Sequence, residues 1–93
     1  MGQQYRIVYT YFNRGFMEEE EMTLEGLSLP EALTYVRQMA YLFCYEDFAI
    51  NKVYMAAAHT ATRIVWLEVQ DWAEIEHQAE WAKRNAETRK EEG

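Results

Sequence analysis

Residues 28–43, SLPEALTYVRQMAYLF, decide how the rest of the chain must fold. Ser28 is placed to accept from the amide of the third helical residue, and Glu31 to reach back to Ser28, the reciprocal pairing of a capping box. Pro30 falls in the first turn, where its missing amide hydrogen is no loss because those donors have no intrahelical acceptor. Leu29, Leu33, Val36, Ala40 and Phe43 then recur at alternating spacings of four and three, one continuous stripe. Ala32, Tyr35, Met39 and Leu42 widen it, and Glu31, Thr34, Arg37, Gln38 and Tyr41 are left as a narrow polar edge. A helix this apolar needs cover on more than one side, which assigns it to the core and calls for strands and a second helix around it.

The strands are legible on its N-terminal side. Tyr5 to Phe12, YRIVYTYF, alternates Tyr5, Ile7, Tyr9 and Tyr11 against Arg6, Val8, Thr10 and Phe12, with the aromatic and β-branched residues that suit a pleated surface. Asn13-Arg14-Gly15 reads as a three-residue hairpin loop, and Phe16 to Glu25, FMEEEEMTLE, returns antiparallel. With Phe12 opposite Phe16, Tyr9 faces Glu19 and Ile7 faces Glu21. The glutamates alternate between faces, which argues for an edge strand protected by charge.

After the helix, Cys44 to Asp47 is a loop or a last helical turn. Phe48 to Ala58 reads as a strand, against the helical propensity of Met55-Ala56-Ala57-Ala58. His59 to Ala61 connects it to a further strand, Thr62 to Val69, whose two largely apolar faces suggest a central position. Asp71 and Glu74 form a second capping box, followed by a stripe of Trp72, Ile75, Ala79, Ala82 and Ala86, small enough in its later part for close packing. The charged segment 87–93 is expected to fray. The chain is thus read as one α+β domain, 1–93, in the order β-β-α-β-β-α, with a mostly antiparallel four-stranded sheet and both helices on one face. The other sheet face is expected to be open, with tyrosines on it.

Composition narrows the function. The chain has 16 acidic and 9 basic residues, a net charge of −7, and the charge is segregated. Phe16 to Glu31 holds six glutamates and no base, Ile64 to Ala82 five acids and no base, while Lys83, Arg84, Arg89 and Lys90 cluster near the end. Phosphate contacts need Lys and Arg, so direct nucleic-acid binding is disfavoured and a partner with a basic surface is favoured. No apolar run approaches the roughly 20 residues of a membrane span, and no secretory signal is visible in MGQQYRIVYTYF. The single cysteine has no internal disulfide partner, so a cytoplasmic location is expected.

Catalytic and metal motifs are wanting. There is no Gly-rich phosphate loop, Gly-x-Ser-x-Gly or Cys-x-x-Cys. Glu74 and His77 have the Glu-x-x-His spacing of carboxylate-bridged metal sites, which need it twice together with two further glutamates. It occurs once, so His77 is assigned to the helix surface and His59 to a loop. Cys44 is read as a buried or partly buried structural thiol. No catalytic residue, metal or cofactor is assigned. Trp66 and Trp72 are read as core. Trp81, amid polar Glu74, His77, Gln78 and Asn85, reads equally as an exposed binding anchor or as the edge of the core.

The candidate partner-binding residues are therefore Tyr5, Tyr9, Tyr11, Glu18, Glu19, Glu20, Glu21 and Trp81. Carboxylates along a strand, beside rings on which arginine can stack, imitate a nucleic-acid backbone towards Arg and Lys of a partner. In size, acidity and lack of a catalytic motif the chain resembles the small inhibitors that phages and plasmids encode against host defence nucleases, anti-CRISPR proteins among them. The resemblance implies a non-enzymatic inhibitor of a nucleic-acid-binding complex. It carries over no residues, since such inhibitors share no common fold. The alternative expectation is a small homo-oligomeric structural or regulatory protein, a homodimer in the simplest case.

Overall fold

The computed structural model describes residues 3–59 and 62–92. Its elements follow the order β1 (Gln4–Asn13), β2 (Phe16–Glu25), α1 (Leu29–Leu42), β3 (Glu46–His59), β4 (Ile64–Glu68) and α2 (Trp72–Glu92). The four strands form one antiparallel sheet in the order β2-β1-β3-β4. Both helices lie on one face of it: Trp72 and Ile75 of α2 join the cluster that Leu29, Ala32, Leu33 and Val36 of α1 make with Ile7, Tyr9, Tyr11, Ile50 and Val53 of the sheet. The β-β-α-β-β-α domain is the one expected from the sequence.

The helix α1 begins as its capping box requires. The Glu31 amide donates to Ser28 Oγ at 3.3 Å and the Ser28 amide donates to Glu31 Oε1 at 3.0 Å. The hydrogen bonds from Ser28 hold the Glu31 carboxyl below its usual range. Its end is a Schellman motif without glycine. Tyr45 N–H donates to Ala40 C=O, Cys44 N–H donates to Tyr41 C=O, and Cys44 itself takes φ 56°. Cys44 is exposed rather than buried, because the position it fills lies outside the helix on the solvent side.

The β1–β2 hairpin differs from the expected register by one residue. Asn13 pairs with Phe16, leaving a two-residue turn of Arg14 (φ 52°) and Gly15 (φ 87°). Positive φ at both centres is what a type I′ turn needs, and its twist matches the strands better than the three-residue loop. A shift of one residue exchanges faces. Tyr9 is now opposite Glu20, Tyr11 opposite Glu18 and Ile7 opposite Met22.

Strand β3 is confirmed as a strand, and it runs through three register shifts, two against β1 and one against β4. The shift at Val8/Tyr9 inserts Asn51, so Val53 and Ile50 are both buried although three residues apart. Asn51 Nδ2 donates to Thr10 Oγ1 at 3.1 Å. Asp47, at φ 50°, lies in the second shift.

Three expectations are corrected. β4 is an edge strand of five residues, not a central one, and Val65 and Leu67 are exposed. His59 is the last residue of β3 rather than part of a loop, and the expected connection at Thr60 and Ala61 lies outside the described residues. Finally, the small-residue stripe of α2 packs only in its first half. Trp72, Ile75 and Ala79 are half-buried, whereas Trp81 to Ala86 are all exposed. The helical backbone continues to Glu92 through the segment expected to fray.

Candidate functional site: a tyrosine-held carboxylate edge

The odd residues of β1 point at α1, so the tyrosine face is the covered face of the sheet. Tyr9 and Tyr11 are 5% and 3% exposed and Tyr5 is half-buried. They do not form an open aromatic surface, and stacking of a partner's arginine on them is ruled out by burial. The reason is the one-sided placement of the helices: Ile7 lies between these tyrosines in sequence, and its face must meet α1.

A buried tyrosine ring still has to satisfy its hydroxyl. Here the acceptors come from β2. Tyr9 Oη donates to Glu20 Oε2 at 3.0 Å, and Tyr11 Oη lies 2.8 Å from Glu18 Oε2 and 2.9 Å from Glu20 Oε1. The one hydroxyl hydrogen of Tyr11 thus faces two carboxylates. Glu18 and Glu20 remain exposed while one side of each is fixed from within. Among the described residues no buried side-chain nitrogen or oxygen lacks a partner.

The rings are held in turn by Phe43, Tyr45 and Phe48. Tyr45 stacks on Tyr11 with centroids 3.8 Å apart and planes 7° apart. Phe48 lies 5.4 Å from Tyr9, and Phe43 5.7 Å from Tyr45. Phe43, placed by spacing on the α1 stripe, is instead the residue that ends the helix and is 59% exposed, while Tyr45 gave no periodic signal because it follows the helix in a loop. A void of about 20 Å³ lies between Tyr9, Val36, Phe43, Tyr45 and Phe48, room for about one water.

Burial, together with the Glu20 hydrogen bond and charge, pushes the Tyr9 hydroxyl up to about 12. The bonds to Glu18 and Glu20, then burial, push Tyr11 further in the same direction. Both hydroxyls are therefore fixed donors throughout the physiological range.

On the opposite sheet face, Arg6 Nε donates to Glu21 Oε2 at 2.7 Å, with Nη2 on the same oxygen. Glu21 is thereby neutralised, and the carboxylates left to a partner are Glu18, Glu19 and Glu20. Trp81 stands apart on α2, 63% exposed, which selects the exposed reading of that residue over the core edge. It is not part of the hairpin site.

No group of three or more His, Cys, Asp or Glu among the described residues is arranged to hold a metal ion. His77 lies on the exposed surface of α2, as expected. No described helix is long and apolar enough to cross a membrane.

No family model, curated protein or solved structure matches this chain. The functional reading therefore stands on the geometry of the hairpin.

Proposed function

We propose that this protein is a non-enzymatic binding module whose hairpin edge occupies a basic, nucleic-acid-handling surface of another protein. One observation carries the reading: the outer strand presents Glu18, Glu19 and Glu20 in succession, all exposed, with two of them held by Tyr9 and Tyr11. Successive strand residues rise about 3.4 Å and alternate faces, so Glu18 and Glu20 lie about 6.8 Å apart on the tyrosine side with Glu19 on the other, a line of negative charge along the strand edge that suits the Lys and Arg of a phosphate-binding surface. Fixing the side chains beforehand lowers the ordering cost of binding. Guanidinium groups of a partner would then find bidentate acceptors already in position.

An inhibitor acting by mimicry of a nucleic acid, of the kind phages and plasmids encode, is the biological form this reading favours. A cytoplasmic location goes with it, since exposed Cys44 suits a reducing compartment. The test is capture from a host lysate with the wild type beside the triple variant Glu18→Gln, Glu19→Gln, Glu20→Gln. The wild type should retain a protein with a basic nucleic-acid site, which the variant loses. Identical captures by both would refute the proposal.

A further inference from the structure

The sheet has an open backbone edge at the hairpin. Among the described strands β2 pairs with β1 alone, at one end of the order β2-β1-β3-β4. The two-residue turn makes Asn13 and Phe16 a hydrogen-bonded pair, and along an antiparallel ladder such pairs alternate with non-bonded ones. The far end of the hairpin keeps the same phase, because Gly26 N–H donates to Gln3 C=O at 3.2 Å. Phe16, Glu18, Glu20, Met22 and Leu24 therefore direct their backbone groups at β1. Met17, Glu19, Glu21 and Thr23 turn their N–H and C=O outward, where a further strand could meet them. The side chains from Phe16 to Glu21 are all exposed, so this stretch of the edge is accessible.

Charge selects the strand that can pair there. Pairing with a second copy of β2 sets glutamates against glutamates, the repulsion that keeps like edges apart. A strand carrying Lys or Arg meets the reverse, opposite-charge pairs at each step. The hairpin does not satisfy its own run. Of its two bases, Arg6 donates to Glu21 and Arg14 sits in the turn, which leaves Glu18, Glu19 and Glu20 for a partner. Tyr11 and Tyr9 hold Glu18 and Glu20, so these two acceptors are ordered before a partner arrives. Beyond the run, Phe16 and Met17 are 74% and 59% exposed and offer apolar contact.

We infer that β2 takes a basic, extended polypeptide segment as a fifth strand of the sheet. Antiparallel pairing gives the more stable ladder. It sets successive Lys or Arg residues of the segment opposite Glu20, Glu19 and Glu18, and apolar residues after them opposite Met17 and Phe16. The main chain of β2 fixes the register and its side chains choose the sequence, the division of labour of strand addition. This rests on the binding edge proposed above and adds the backbone to it.

The probe is a synthetic peptide in which three arginines are followed by two valines between threonine-rich ends. On binding, amide hydrogen exchange at Met17, Glu19 and Glu21 should slow about tenfold or more, while Glu18 and Glu20, already bonded to β1, change little. N-methylation of the peptide at one alternate set of amides should weaken binding about tenfold or more relative to methylation of the other set, because only one set faces β2. A peptide that does not bind, outward amides without added protection, or two methylated sets of equal affinity would each overturn the inference. If such a peptide still binds and the triple variant Glu18→Gln, Glu19→Gln, Glu20→Gln loses it, the carboxylate edge stands and the strand pairing alone has failed.

Discussion

At the residue scale, three positions show how local chemistry is bent to the fold. Arg14 and Cys44 both take left-handed backbone that L-residues adopt at a cost of about 1 kcal/mol or more. Arg14→Asn should therefore raise stability by about 0.5 kcal/mol, and Cys44→Gly by about 0.5–1 kcal/mol, in urea unfolding. A fall in midpoint for either would contradict the turn or cap assigned to it. The turn was legible as a hairpin loop but one residue too long, because Asn is absent from its first position, and the cap was not legible because no Gly follows the helix. Tyr11 is the third. Removing its hydroxyl, Tyr11→Phe, leaves two exposed carboxylates that water can serve, so the loss should be only about 1 kcal/mol. The pH response is more diagnostic. The fold favours neutral Tyr9 and Tyr11, so their contribution is complete below the unfolded tyrosine value of 10.0 and is lost as pH rises towards the folded values. Ultraviolet titration should show two of the seven tyrosines ionising only with alkaline unfolding, and Tyr9→Phe with Tyr11→Phe should flatten the stability loss between about pH 10 and 12.

At the element scale, α1 was read correctly as the organising helix and too generously as covered on both flanks of its stripe, since Tyr35 and Leu42 are exposed. Its start is written in four residues, Ser28 to Glu31, and its core stripe in Leu29, Leu33, Val36 and Ala40. Leu33 is fully buried, and Leu33→Ala should cost about 3 kcal/mol through lost burial and the cavity left behind. An unchanged melting temperature would contradict its place in the core. The widening residues Tyr35 and Leu42 could not be placed from spacing alone, since periodicity assigns a face and not what covers it. The same limit applies to α2, where alanines suited to packing at Ala82 and Ala86 are exposed. Trp81→Ala on that exposed stretch should change stability by less than about 0.5 kcal/mol. Strand β3 was ambiguous for a different reason. Its bulges break the alternation on which strand reading depends, and the helical propensity of Met55 to Ala58 competes with the strand reading.

At the scale of the whole molecule, the charge pattern was visible from the start, and its arrangement was not. The register of one hairpin settles which glutamates share a face with the tyrosines, and that register hangs on whether Asn13 belongs to the turn or the strand. The tyrosines then become the inner support of the carboxylates rather than a second binding surface. The central claim is that Glu18, Glu19 and Glu20 stand in for phosphates. Competition measures this most directly: titrate the captured partner with this protein in the presence of increasing duplex DNA. If the claim holds, the apparent Kd rises in proportion to the DNA, because one basic site serves both. A ternary complex, with the Kd unmoved at saturating DNA, would contradict it.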